Sequence, residues 1–220
     1  SGPILPELGN FRALQKLWLY DNQLTLTVPT RPRISELAGL PNFSCYVFCT
    51  GPIPKELGAL SKLRRPWLGQ NGLTGHIRPK LGALSELRVL RLNINKLTGP
   101  IPPELGNLPA LEYLGLGGNK LSGRIPKELG ALSKLESLWL SNNQLTGAIP
   151  KELGALGKLE VLSIGSNKLT ARCSRSRGKY ILLLPAEFAF SLPLAGTIPP
   201  ELGNLAALKY LRLQRNELSG

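Results

Sequence analysis

A 24-residue repeat constrains the fold of this chain more than any other feature of its sequence. Glycine and asparagine both return at that interval, without a break, through the middle of the chain. A fixed period of this length predicts a solenoid, in which each unit forms one coil that stacks on the next. The recurring positions are Gly51, Gly75, Gly99, Gly123 and Gly147, and Asn71, Asn95, Asn119, Asn143 and Asn167.

The regular units are best seen in GRIPKELGALSKLESLWLSNNQLT, which runs from Gly123 to Thr146. Five copies follow one another over 51–170, and single copies occupy 2–25 and 196–219. One unit cannot bury its leucines alone, so we expect the stack of units to form one domain over 1–220 with a shared core.

Local patterns within the unit predict its secondary structure. Leu138 and Leu140 alternate with Trp139, which indicates a short strand with one buried face. The asparagine that follows predicts a turn, and stacked asparagine amides would form a hydrogen-bonded ladder. The P-x-E-L-G stretch predicts a short helical turn, because proline suits the first helical position and glutamate suits the positive N-terminus.

These motifs resemble the leucine-rich repeat family, in its plant-type subfamily with the pattern L-x-x-L-x-L-x-x-N-x-L-T/S-G-x-I-P. The resemblance implies an α/β repeat solenoid, a horseshoe or superhelix with a parallel β-sheet on the concave face and short helical or 3-10 turns on the convex face. It also implies a second set of strands at T/S-G-x-I-P. Members of the family bind partners without catalysis, as ectodomains of receptor-like kinases and as secreted inhibitors of cell-wall hydrolases such as polygalacturonase.

Composition argues against several other classes. The chain of 220 residues is 42% hydrophobic, which is too apolar for a disordered protein. A single histidine and a single aspartate leave little for catalysis, and the repeated glutamate belongs to the repeat frame. We therefore expect neither an enzyme nor a cofactor. No apolar run is long enough to span a membrane, so any membrane attachment would lie outside this sequence.

Two segments interrupt the repeat, and each adds about one period. Segment 26–50 retains a damaged repeat pattern, for which we expect a strand at 45–48. Segment 171–195 joins a basic stretch to an apolar one, and both a degenerate repeat and an insertion are consistent with it. A further hypothesis is that neither segment is native coding sequence. Pro66 replaces the first strand leucine of its unit, and since proline has no amide hydrogen, that rung of the sheet should be weak.

The chain begins and ends at repeat boundaries, without the cysteine-containing modules that the family resemblance implies at both ends. We expect it to be a fragment of a longer solenoid that is extracellular or at the cell surface. Cysteines that cannot pair count against the extracellular expectation. Cys45 and Cys49 lie roughly 13 Å apart if they share a strand, which is too far for a disulfide, and Cys173 is alone. We expect no metal site, and His76 is interpreted as a surface loop residue.

The concave face is where the family resemblance places the binding surface. Its central outward position is the x of L-x-L, which holds all three tryptophans of the chain. Exposed tryptophan, tyrosine and arginine are typical of binding hot spots. Duplication of a repeat unit that already contained tryptophan would give the same pattern without any role in binding. The candidate partner-binding residues are Trp18, Tyr20, Arg65, Trp67, Arg91, Tyr113, Trp139, Tyr210 and Arg212.

A formal net charge of +13 accompanies this face. Basic residues cluster in two groups, and an acidic row separates them. The expected partner is a protein or peptide, with acidic polysaccharide or hydrolase inhibition as the alternative, while nucleic acid is not expected. A solvated basic surface without a ligand remains open as well. The groups are Arg64, Arg65, Arg88 and Arg91, then Lys209, Arg212 and Arg215, with Glu112, Glu136 and Glu160 between them.

Overall fold

The computed structural model describes residues 50–53, 57, 58, 61–170 and 198–218. In this part of the chain a complete repeat unit forms one coil, built from a short strand, an asparagine turn, a second strand and a 3-10 helix. Among the described residues the first coil lacks the first strand, and the last coil lacks the second. The described strands form two parallel sheets. We number six coils, which cover 51–74, 75–98, 99–122, 123–146, 147–170 and 198–218.

The concave sheet consists of the strands that the L-x-L alternation predicts. A leucine at the centre of each strand takes the inward position, and Leu90, Leu114, Leu138 and Leu162 are fully buried, whereas Leu211 in the last described strand is 46% exposed. Residues at the same place in successive units pair in register, such as Leu114 with Leu138. The five strands, in the spatial order β11-β9-β7-β5-β3, are β3 (Val89–Arg91), β5 (Tyr113–Gly115), β7 (Ser137–Trp139), β9 (Val161–Ser163) and β11 (Tyr210–Arg212).

The lateral sheet is the second set of strands implied by the family resemblance. Three of its strands follow the asparagine turn and end in the glycine of G-x-I-P, at Gly99, Gly123 and Gly147, where φ is positive. Glycine adopts this conformation without strain. In spatial order the six strands are β1 (Thr50–Pro52), β2 (Gly72–His76), β4 (Lys96–Gly99), β6 (Lys120–Gly123), β8 (Gln144–Gly147) and β10 (Lys168–Leu169).

Short 3-10 helices follow the I-P dipeptide and complete each coil. Each contributes a buried leucine to the core, such as Leu105 and Leu129. The glycine after that leucine is required by packing, because a Cβ at Gly106 would collide with the carbonyl oxygen of Glu128 in the next coil. The helices are η1 (Pro79–Ala83), η2 (Pro103–Asn107), η3 (Lys127–Ala131), η4 (Lys151–Ala155) and η5 (Pro200–Asn204).

The predicted asparagine ladder is present. The Asn119 Nδ2 atom donates to the carbonyl oxygens of Leu116, at 2.9 Å, and of Leu92 in the preceding coil, at 3.0 Å. Its Oδ1 atom accepts from the amide of Leu97, also at 3.0 Å. Asn95, Asn143, Asn167 and Asn216 repeat this arrangement. One buried amide per coil therefore satisfies backbone groups of two coils at once.

The rung at Pro66 is weak, as predicted. Where the later coils each place a three-residue strand, this coil pairs only through an isolated bridge between Trp67 and Arg91. The Arg91 amide reaches the Pro66 carbonyl at 3.4 Å, whereas the Leu68 amide donates to the Arg91 carbonyl at 2.9 Å.

Coils 5 and 6 stack directly on each other although 171–197 separates them in sequence. β11 pairs with β9, with Tyr210 opposite Val161, and the Asn216 side chain joins both coils through Ile164 and Leu169. Of segment 26–50 only Thr50 is described, so the strand predicted at 45–48 lies outside the described residues, and so do segment 171–195 and all three cysteines. The described backbone contains no coil between coils 5 and 6.

Candidate binding face

The outward side chains of the concave sheet form two main rows, one on each side of the buried central leucine. The first row precedes that leucine and the second follows it, so both point away from the core. In the described residues the first row is Arg65, Val89, Tyr113, Ser137, Val161 and Tyr210. The second row is Trp67, Arg91, Gly115, Trp139, Ser163 and Arg212.

Arg91 is held between two aromatic rings, an arrangement that we call the Arg91 clamp. Its guanidinium carbon lies 4.6 Å from the centre of the Trp67 ring and 4.7 Å from that of Tyr113. Each such contact contributes about 0.5–2 kcal/mol, more as the site is desolvated. The Arg91 Nε atom is buried and has no hydrogen-bond partner among the described residues. The two rings therefore hold the Arg91 guanidinium in place, and its Nε–H group remains an unused hydrogen-bond donor among the described residues.

Tyr113 also shapes the surface beside the clamp. Its ring lies next to Gly115, where a Cβ would come 2.8 Å from Cε1 of the tyrosine. Burial raises the pKa of the Tyr113 phenol, and the nearby positive charge of Arg91 lowers it by a smaller amount. The hydroxyl is therefore neutral at physiological pH and remains a hydrogen-bond donor. Gly115 is buried, and its lack of a side chain makes room for the Tyr113 ring between Arg91 and Trp139.

A second cation–aromatic contact closes over Ser163. The guanidinium of Arg212 reaches back across one coil and lies 5.7 Å from the centre of the Trp139 ring. Ser163 lies between them in the row and is only 1% exposed, so the prediction that this position is exposed was wrong at Ser163. The Trp139 Nε1 atom is buried and has no hydrogen-bond partner among the described residues.

Ion pairs divide the basic cluster that the sequence suggested. Arg64 and Lys62 bind the carboxylate of Glu86, both at 2.7 Å, and hydrogen bonds from these two cations lower the pKa of Glu86. Arg88 pairs with Glu112, and Lys209 with Glu160. These pairs lie along the edge of the concave sheet. The charged residues on the two outward rows described here are Arg65, Arg91 and Arg212, and all are cations.

The structure brings together five of the nine predicted residues and places two more on the same rows. Trp67, Arg91 and Tyr113 form the clamp, and Trp139 stacks with Arg212. Arg65 and Tyr210 are exposed near the two ends of the first row. Trp18 and Tyr20 lie outside the described residues. The L-x-L pattern also placed Gly115 and Ser163 on the second row, outside the candidate set; both are buried, and their small side chains leave space for the large neighbours.

The described part of the chain shows neither a metal-binding cluster nor a membrane-spanning helix. No group of three or more histidine, cysteine, aspartate or glutamate side chains is arranged there to hold a metal ion. None of its helices has the length and apolar character needed to cross a bilayer. His76, interpreted from sequence as a loop residue, is the last residue of β2, and its ring lies against Gly99.

Comparison with known proteins agrees with the repeat architecture. Three segments of the chain, 86–108, 110–132 and 134–156, match the sequence model of the Leucine Rich Repeat family. Each match covers nearly one period, from the turn before the concave strand to the next 3-10 helix. The chain is a leucine-rich repeat protein. No curated protein sequence matches it.

Solved plant receptor ectodomains share its fold. The plant peptide hormone receptor RGFR1, in complex with RGF2, is 31% identical with a TM-score of 0.75 over 97% of this chain. The ectodomain of the receptor kinase GASSHO1/SCHENGEN3 from Arabidopsis thaliana, in complex with Casparian strip integrity factor 2, is 36% identical with a TM-score of 0.69 over 84%. The PEPR1-AtPEP1 complex is 30% identical with a TM-score of 0.66 over 98%.

These 220 residues span a third or less of each receptor chain. They cover 30% of the RGFR1 chain, 20% of the GASSHO1/SCHENGEN3 chain and 33% of the PEPR1 chain. The similarity therefore concerns a run of repeats within each receptor, and it establishes a shared solenoid architecture of the plant type.

Proposed function

We propose that this protein is a non-catalytic recognition module that binds a protein or peptide partner on its concave sheet. The residues that carry the binding are Trp67, Arg91, Tyr113, Trp139 and Arg212, with Arg65 and Tyr210 at the margins. Trp18 and Tyr20 would extend the same rows in the first repeat. The favoured partner is an extended segment with acidic side chains, because the charges on the described outward rows are all positive.

The observation that carries this proposal is the pair of cation–aromatic contacts. Two arginines are preorganised by Trp67, Tyr113 and Trp139, so little side-chain entropy is lost when a ligand binds them. The buried Arg91 Nε and Trp139 Nε1 atoms have no hydrogen-bond partner among the described residues. Buried donors of this kind are rare in folded proteins, and a ligand carbonyl or carboxylate that displaced the neighbouring side chains would satisfy them.

The similar receptors support this proposal. The RGFR1 structure is a complex with RGF2, and the GASSHO1/SCHENGEN3 structure is a complex with Casparian strip integrity factor 2. Because the repeat protein shares their architecture, we infer that it too is part of an extracellular or cell-surface receptor-like or secreted protein. Attachment to a membrane would then depend on regions other than these 220 residues.

Selection from a displayed random peptide library tests the proposal. We expect the immobilised protein to enrich peptides with two or more acidic residues. The double variant Trp67→Ala/Trp139→Ala should bind the enriched peptides at least about 30-fold more weakly, because each central aromatic anchor contributes about 2 kcal/mol and part of that is shared. Affinities are measured by isothermal titration calorimetry on protein whose circular dichroism matches that of the wild type.

The matched control truncates two exposed side chains on the other side of the coil, as Lys127→Ala/Lys151→Ala. Its affinity for the same peptides should remain within about twofold of wild type, because neither residue touches the concave sheet. If the enriched peptides bind the tryptophan variant as tightly as the wild type, the concave sheet is not the binding face and the proposal fails.

A further inference from the structure

The lateral sheet carries a second ordered surface, separate from the concave rows. Its buried leucines, such as Leu97 and Leu121, alternate with two outward rows. One row precedes the leucine and consists largely of lysine, while the other follows it and consists of hydroxyl residues. The first row is Gly72, Lys96, Lys120, Gln144 and Lys168, and the second is Thr74, Thr98, Ser122, Thr146 and Thr170.

Lysine ammonium groups form a line along this sheet. Lys96, Lys120 and Lys168 are all exposed. Neighbouring lateral strands are offset by two residues, with Lys120 opposite Thr98 and Lys168 opposite Thr146, so the lysines follow a diagonal whose steps are longer than the strand spacing of about 4.8 Å. Arg124, exposed at the end of β6, adds a fourth cation. Its side chain lies along the sheet surface, since a Cβ at Gly147 in the next coil would come 3.0 Å from Cγ of Arg124.

This positive charge is not neutralised by the described part of the protein. The four ion pairs found there involve Lys62, Arg64, Arg88 and Lys209, which lie at the edge of the concave sheet. In the described coils, the acidic residue on the lateral rows is Glu217, one coil beyond Lys168 and next to Thr170. Part of the excess positive charge of the described residues therefore lies on the lateral sheet.

We propose that the lateral sheet binds a linear acidic polysaccharide that runs across the strands, along the solenoid axis. Carboxylates of the polymer would meet the lysine row and Arg124, and sugar hydroxyls would exchange hydrogen bonds with the threonine and serine row. In the described residues, the two lateral rows contain no tryptophan, tyrosine or phenylalanine on which bases could stack. Single-stranded nucleic acid is therefore a less favoured ligand for this sheet. The two lateral rows also lack the aromatic side chains that commonly anchor a protein partner.

Polygalacturonate, a linear polymer with one carboxylate per sugar, is the probe for this surface. We compare wild type with the triple variant Lys96→Gln/Lys120→Gln/Lys168→Gln. Glutamine fits this position, because Gln144 occupies it in β8. We expect the triple variant to bind about tenfold more weakly at low salt, and its affinity to fall less steeply as salt is raised, because fewer ion pairs are screened.

A control with the same loss of charge separates the surface from the net charge. Lys62→Gln/Lys134→Gln/Lys158→Gln removes three exposed lysines away from the lateral sheet and should keep its affinity for polygalacturonate within about twofold. Trp67→Ala/Trp139→Ala should also bind it normally, so this inference stands or falls independently of the proposed function.

Three results would overturn the inference. The first is that wild type fails to bind polygalacturonate at low salt. The second is that both lysine triples weaken binding equally, which would mean that net charge alone acts. The third is that single-stranded DNA of equal charge binds as tightly and responds to the lateral triple in the same way, which would mean a general polyanion surface.

Discussion

At the scale of single residues, the repeat imposes the same backbone on different side chains. The residue before each ladder asparagine has a positive φ near 55°, at Gln70, Ile94, Asn142 and Ser166. Asparagine tolerates this left-handed conformation, whereas a β-branched residue is a clear outlier there. Ile94 is also 56% exposed, so burial of its side chain contributes little stability to offset the backbone strain.

Replacing Ile94 with asparagine should therefore stabilise the protein. We expect Ile94→Asn to raise the free energy of unfolding by about 1 kcal/mol, through relief of left-handed strain. The reciprocal change at the equivalent position of coil 4, Asn142→Ile, should lower it by a similar amount. Urea denaturation followed by circular dichroism measures both. A destabilised Ile94→Asn variant would show that this isoleucine contributes packing that outweighs its strain.

At the scale of elements, the 3-10 helices stack so closely that their glycines have no room for a side chain. A Cβ at Gly106 would collide with the backbone of Glu128 in the next helix, whereas a Cβ at Gly203 in η5 has no described atom within 4 Å. The sequence shows glycine at both positions, because the unit is copied. Only the stacking shows that Gly106 is required because there is no room for a side chain, whereas Gly203 is not under that steric constraint.

This difference predicts opposite effects for one substitution. Gly106→Ala should destabilise by about 1–3 kcal/mol, because neighbouring coils must move apart to admit the methyl group. Gly203→Ala should be neutral or stabilise by about 0.5 kcal/mol, since alanine lowers the entropy of the unfolded chain. Thermal unfolding monitored by calorimetry compares the two variants. Equal destabilisation by both would contradict the role assigned to close helix stacking.

At the scale of the whole molecule, the solenoid continues from coil 5 to coil 6 as if 171–195 were absent. Removing these 25 residues joins Thr170 to Gly196 and restores the T-G-x-I-P motif and the 24-residue spacing of the asparagines. We infer that the segment is an insertion at the outer end of β10. The direct pairing of Val161 with Tyr210 supports this.

The deletion of 171–195 tests that inference. We expect the shortened protein to keep its circular dichroism spectrum and to unfold at an equal or higher temperature, with a gain of about 1–3 kcal/mol from the loop-closure entropy that is no longer lost. Deleting the regular coil 123–146 keeps the same frame but removes buried leucines, so it should lower the unfolding temperature. Loss of cooperative unfolding on deletion of 171–195 would show that the segment is part of the core.

Much of the fold could be predicted from the sequence, and its binding face only in part. The buried leucines, the asparagine ladder and the weak rung at Pro66 follow from periodicity and local stereochemistry. The sequence also placed Trp67 and Trp139 on the concave rows. It could not show that Arg91 stacks between Trp67 and Tyr113, because such contacts depend on side-chain directions in neighbouring coils.

The sequence by itself determined the coil, because a 24-residue period with leucine, asparagine and glycine at set places allows one backbone path per unit. Tertiary structure decided how coils of different composition meet. It buried Ser163 beneath Trp139 and Arg212, paired Arg64 and Arg88 with carboxylates and left Lys96, Lys120 and Lys168 exposed without such partners. The physical reason is range: backbone preferences act within a unit, whereas packing and charge pairing act between residues that only stacking makes neighbours.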